Sequence, residues 1–178
     1  MQRRYRPLKN KVVYSVASLI NLDAALFDIK KARLLMLKVL KRAKFRFAAL
    51  DKPFKLINFN ISKQLFCLCL KPKNKENLSD IMQWILSVFA INWNKKAKQR
   101  GHVFMARFFS EIVKDEETLR EIFYLIDMLP VDMGVDKIDR PEQWEYGGLW
   151  QHQRGMYDIV DRPDEFVQKY FPEHMVRV

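Results

Sequence analysis

The chain has 178 residues and a mass of 21.4 kDa, 49% of them hydrophobic, which is enough to bury one sizeable core and too few to expect two full domains. Its formal charge of +11 is unevenly placed, since residues 1–100 carry 23 Lys/Arg against 5 Asp/Glu and residues 101–178 carry 9 against 16. A cationic front half attracts polyanions through counterion release, so nucleic acid comes ahead of an anionic membrane or an acidic protein as the expected partner, and no apolar run approaches the roughly 18 residues of a membrane span.

In chain order, Lys11 to Ala17 alternates Val12, Tyr14 and Val16 with Val13, Ser15 and Ala17, which predicts a first strand. Asp28 stands where it can cap a helix whose Ile29, Ala32, Met36, Val39, Leu40 and Ala43 share one face, leaving lysines and arginines to solvent. After a break at Asp51 to Pro53, Phe54 to Ile61 alternates and Gln64 to Leu70 is more fully apolar, so the two predict a hairpin around Ser62 and Lys63. Asn77 and Asp80 open a long helix with a stripe of Leu78, Ile81, Met82, Ile85, Val88, Phe89 and Trp93, ending in the basic run Asn94 to Arg100. A fourth strand is expected over His102 to Val113, then a helix opened by Asp115 to Glu117 and stopped by Pro130, then turns and a short helix near Pro163 to Tyr170. Strand, helix, hairpin, helix, strand, helix is an α+β plan with helices on a largely antiparallel sheet.

Cys67 and Cys69, the two cysteines, stand two apart and cannot close an unstrained disulfide with each other. The stretch from Met1 to Pro7 lacks the apolar core of a secretory signal, and a reducing, cytoplasmic setting is expected.

Several local sequences resemble the REP-associated tyrosine transposases, single-tyrosine HUH enzymes that cut and rejoin single-stranded DNA beside hairpins. The pieces that carry the resemblance are Leu78-Ser79-Asp80-Ile81-Met82-Gln83-Trp84, Gly101-His102-Val103-Phe104 leading into Arg107-Phe108, Ile126-Asp127 followed by Pro130-Val131 and Gly134, and Pro141-Glu142-Gln143-Trp144 with Tyr146. The resemblance implies a ferredoxin-like HUH transposase fold, with residues 1–150 as a transposase-like DNA-binding domain and 151–178 as a C-terminal extension.

It also implies a chemistry. Members hold Mg²⁺ or Mn²⁺ between two histidines spaced by one residue on a central strand, and a tyrosine on the neighbouring helix attacks the scissile phosphate. An amide four positions after the tyrosine completes the metal shell. In this chain the histidine pair falls at Leu65 and Cys67, the tyrosine at Leu125 and the amide at Leu129. Four apolar or soft residues at four catalytic positions predict a pocket packed shut, with no metal cofactor and the endonuclease chemistry lost. The alternative is an active transposase using Tyr124 and a divalent metal; a further one is a protein-interaction module with a basic face.

The cations remain at the places that hold DNA in the family: Arg3, Arg4, Arg6, Lys9 and Lys11 near the start, then Lys95, Lys96, Lys98, Arg100 and Arg107. Tyr5 and Trp93 lie among them, Tyr5 able to stack on bases and Trp93 on its spacing a core residue. His102 reads as a turn or DNA-proximal residue, His152 and His174 stand apart from any zinc spacing, and Asp127 and Asp132 read as solvated helix-end acids. The expected partner is hairpin or single-stranded DNA, bound by a homodimer without a membrane.

Overall fold

The computed structural model describes residues 13–21, 29–74 and 76–176, so the first basic cluster, Arg3 to Lys11, lies outside the described residues, as do Tyr5, Val12 and Asp28. Strand β1 runs Tyr14–Leu19, helix α1 Lys30–Ala49, β2 Phe54–Ser62, β3 Leu65–Pro72, α2 Asn77–Ala97, β4 Phe109–Ile112 and α3 Glu116–Asp132. The four strands form one antiparallel sheet in the order β2-β3-β1-β4, the βαββαβ ferredoxin-like plan. Two short helices follow, α4 at Gly148–Gln153 and α5 at Glu165–Tyr170, each followed or preceded by a 3-10 turn at Pro172–His174 or Pro141–Gln143.

The sheet's two faces have different partners. Tyr14, Val16, Leu56, Phe59, Ile61, Phe66, Leu68 and Leu70 point toward α1 and α2 and close the main core with Met36, Leu40, Met82, Ile85 and Phe89. On the opposite face Cys69 meets Phe123 and Ile126 of α3 and Val167 and Phe171 of the tail. Trp93 is a core residue, lying parallel to Phe89 with ring centroids 6.4 Å apart. No helix among the described residues is long and apolar enough to cross a membrane.

Three sequence expectations are corrected. The fourth strand is only Phe109–Ile112: Phe104 bridges Ile20 and Phe109 pairs with Ala17, so five steps on one side answer three on the other. The two additional residues bulge out between Met105 and Phe108 and break the alternation that suggested a strand from His102.

Pro130 lies inside α3 instead of ending it. Its missing N–H leaves the Ile126 carbonyl without its helical donor, and the Asn60 side-chain amide fills that place at 2.9 Å. The helix closes three residues later, where the amides of Met133, Gly134 and Val135 return to Leu129, Val131 and Pro130.

A bulge at Ile57, between Leu56 and Asn58, shifts the β2–β3 register by one. It sends Asn58, Asn60 and Ser62 to the α3 face beside Cys69, Cys67 and Leu65, and α3 then packs on polar groups of β2. The third expectation, a sealed pocket at Leu65, Cys67, Leu125 and Leu129, is at odds with the exposure of Leu125.

Candidate functional site

Leu65 and Cys67 sit on the α3 face of β3, spaced as a ligand pair would be, and both are half-buried. Burial pushes the Cys67 thiol up to about 12, so it is no thiolate at neutral pH. Leu125, where the resemblance places the tyrosine, is 61% exposed, and Leu129 is half-buried. The helix buries Phe123, Ile126, Asp127 and Pro130, and at about 100° per residue Leu125 is carried off that face. The four positions therefore do not close one dry pocket, which corrects the packed-shut expectation. They also offer a hard divalent ion nothing but one protonated thiol, so the ion that the resemblance implies does not fit there.

Of the predicted DNA contacts, Lys95, Lys96, Lys98, Arg100 and Arg107 are all exposed. Lys95 and Lys96 close α2, Lys98 takes a left-handed conformation at φ 53° and Gly101 one at φ 113°, so the chain turns twice while presenting cations on several sides. Among the described residues none of the five makes an ion pair, whereas other basic residues are neutralised by the acidic half. Lys30 meets Glu145, Arg33 meets Asp136, Lys41 meets Asp158 and Lys44 meets Asp161. The charge halves noted in the sequence thus partly cancel within one subunit, and the α2–β4 connection keeps its charge. His102 is exposed in the same connection, its carbonyl facing the Asn21 amide at 3.5 Å.

The least expected feature lies under α3. His152 and His174 are both fully buried, with their Nδ1 atoms 2.7 Å apart. His174 Nε2 is 2.7 Å from Asp127 Oδ2, Asp127 Oδ1 accepts from the Asn58 amide at 2.9 Å, and His152 Nε2 is 3.0 Å from the Asp161 carbonyl. Burial, then the neighbouring His174, lowers the His152 pKa to about 4, so this ring is neutral at physiological pH. A carbonyl only accepts, so neutral His152 donates from Nε2 and its bare Nδ1 accepts from His174.

Beside this chain of contacts opens a surface pocket of about 430 Å³, lined in part by Arg120, Tyr124, Asp127, Lys169, Tyr170 and Glu173. Tyr124 is 65% exposed and shares with Arg120 and Asp127 the side of α3 that the pocket uses. Asp127 is thus not the solvated helix-end acid its position suggested. Sequence reading passed over the cluster because its members are 22 and 47 residues apart; the tail must fold back before they meet.

No protein-family model matches the chain, and no curated protein matches it. Among solved structures, a REP-associated tyrosine transposase bound to a REP hairpin is similar at a TM-score of 0.69 and 16% identity, over 92% of this chain and 93% of that one. The match takes in nearly the whole of both chains, and the chain has the fold of a REP-associated tyrosine transposase.

Proposed function

We propose that this chain is a transposase-like DNA-binding protein that recognises hairpin or single-stranded DNA and has lost the strand-cutting chemistry. The observation that carries the reading is the exposed, unneutralised basic connection from Lys95 to Arg107, set on a fold whose solved relative is bound to a hairpin. Arg3, Arg4, Arg6, Lys9 and Lys11 supply a second grip from the N-terminal segment. Loss of chemistry is supported by Leu65, Cys67, Leu125 and Leu129, which hold no ligand set for Mg²⁺ or Mn²⁺. The working unit is a homodimer acting in the cytoplasm, where Cys67 and Cys69 stay reduced.

The test is binding of hairpin, single-stranded and duplex oligonucleotides across one salt series. Hairpin or single strand should bind tighter than duplex, with a steep salt dependence. Equal, salt-insensitive binding to all three refutes the reading.

A second reading, an active transposase using Tyr124, is favoured by one observation: Tyr124 is exposed and lines a pocket with Asp127 and Glu173. A covalent adduct on single-stranded DNA that forms with Mn²⁺ and disappears in Tyr124→Phe would establish it; no adduct is the outcome of the first reading.

A further inference from the structure

Two buried imidazoles and a buried carboxylate line up under α3: His152 Nε2 lies 3.0 Å from the Asp161 carbonyl, the two Nδ1 atoms are 2.7 Å apart, and His174 Nε2 is 2.7 Å from Asp127 Oδ2. A ring nitrogen and a carboxylate oxygen thus converge on one point, the pair of donors that a transition-metal ion is held by. The other oxygen of Asp127 is taken by Asn58, which fixes the carboxylate with Oδ2 toward the imidazole.

A third donor stands at the same point. One ring nitrogen of His174, one oxygen of Asp127 and one oxygen of Glu173 all lie within 4.8 Å of one another. Glu173 is exposed and lines the pocket, and its backbone carbonyl is fixed by the Gln153 side chain at 2.8 Å.

We propose that His174, Asp127 and Glu173 form a divalent transition-metal site, of the class that takes Zn²⁺, with its fourth position open to the pocket. One imidazole with two carboxylates suits Zn²⁺ better than Mg²⁺ or Ca²⁺, which favour all-oxygen shells. Ligands about 2.1 Å from a tetrahedral ion lie roughly 3.4 Å apart, so the His174–Asp127 pair, 2.7 Å apart, opens modestly to admit the ion. The supporting shell is already of the kind metal sites require: His152 and the Asp161 carbonyl set the His174 tautomer, and Asn58 orients Asp127. Arg120 and Lys169 also line the pocket and oppose a cation, but both face the Tyr170 ring, at 4.1 and 4.7 Å from its centroid. The site is separate from the Leu65–Cys67 position and does not depend on DNA binding.

The experiment is titration of the full chain, stripped with EDTA and free of DNA, with Zn²⁺ by calorimetry and with Co²⁺ by visible absorption. We expect one ion per chain at micromolar affinity or tighter, and d–d bands of a four- or five-coordinate N/O site for Co²⁺. Glu173→Gln removes an exposed ligand without touching the core and should weaken Zn²⁺ at least tenfold. His152→Phe should weaken it about 10- to 100-fold through the supporting shell. His102→Gln, at the exposed histidine elsewhere, should leave it unchanged. Absence of saturable binding overturns the proposal. So does binding that survives Glu173→Gln intact or disappears with His102→Gln.

Discussion

Neutralising the α2–β4 connection tests the proposed DNA contact most directly. In a chain carrying Lys95→Gln, Lys96→Gln, Lys98→Gln and Arg100→Gln, four exposed cations are lost, none of which makes an ion pair among the described residues. Each phosphate contact contributes about 0.9 to the slope of log affinity against log salt on a duplex stem and about 0.7 on a single strand. Lys95 and Lys96 lie on the last turn of α2, Lys98 is its left-handed cap and Arg100 follows, so the four cations are spread around a bend and two to four of them are taken to reach one backbone. The slope should then flatten by about 1.5 to 3.5 units, and extrapolation from the 1 M reference to 0.1 M salt makes this a loss of roughly 1.5 to 3.5 decades in affinity. Fluorescence anisotropy on a labelled hairpin over a salt series gives both quantities from one data set. Lys41→Gln is the matched control: Lys41 is held by Asp158 at 2.6 Å, so its loss should move the slope by less than about half a unit. A quadruple variant with the parent slope, or a control that flattens it as much, would mean that the connection does not touch DNA.

Three perturbations test the scaffold that positions the site. Arg33 is 3% exposed, bonded to Asp136 at 2.6 Å and placed over the rings of Trp144 and Tyr146; Arg33→Met should lower unfolding stability by about 2 kcal/mol in urea, because the aliphatic stem is kept and the cation–π and ionic contacts are lost. A Cβ at Gly148 would stand 2.2 Å from Asn58 Oδ1 and 3.0 Å from the Phe59 amide nitrogen, so Gly148→Ala should cost about 1–3 kcal/mol, measured the same way. Cys67 should react with a thiol reagent at pH 8 at least about a hundredfold more slowly than a free thiol, since its thiolate is suppressed, and urea should restore the rate. Burial also raises Cys69, so the folded state keeps two protons that an unfolded chain releases above the ordinary value of 9.0. That stabilisation is complete below pH 9 and is lost as pH climbs through about 12, and the urea midpoint of Cys67→Ala should fall less steeply across that window.

Where the side-chain period ran unbroken, the sequence was a sound guide. The apolar stripe from Leu78 to Trp93 became the buried face of α2, and the turn at Lys63, with φ 43°, joins β2 and β3 as a hairpin. It misled wherever one or two residues changed the register. The two residues that bulge before Phe108 cannot be told from strand residues by hydrophobicity, and they leave Phe109 54% exposed. Pro130 carries a local stop signal, but its cost falls on the Ile126 carbonyl, and only the folded chain brings Asn60 there. The His152–His174–Asp127 cluster has no motif because its spacing is set by the path of the tail over α3, not by any helix or strand period.

The way α3 is anchored decides what either functional reading can use. With no ion able to tie β3 to α3 at Leu65 and Cys67, the helix is held one strand over, by Asn60 to its Ile126 carbonyl and Asn58 to its Asp127 carboxylate. Those two bonds fix the helix rotation. Ile126 and Phe123 face the sheet, Leu125 turns about 100° away, and Tyr124 joins Arg120 and Asp127 on the side of the tail pocket. A shift of one residue along the helix therefore moves the tyrosine position from Leu125 to a side chain that lines the tail pocket. Histidines introduced at Leu65 and Cys67 would make a ligand pair with a leucine, Leu125, where the resemblance places the tyrosine, and cutting DNA with Tyr124 would have to use the surface pocket that α3 shares with the C-terminal segment. On this scaffold the cationic connection joins α2 to β4 and takes no part in the bonds that anchor α3, so the proposed DNA contact does not depend on how α3 is turned.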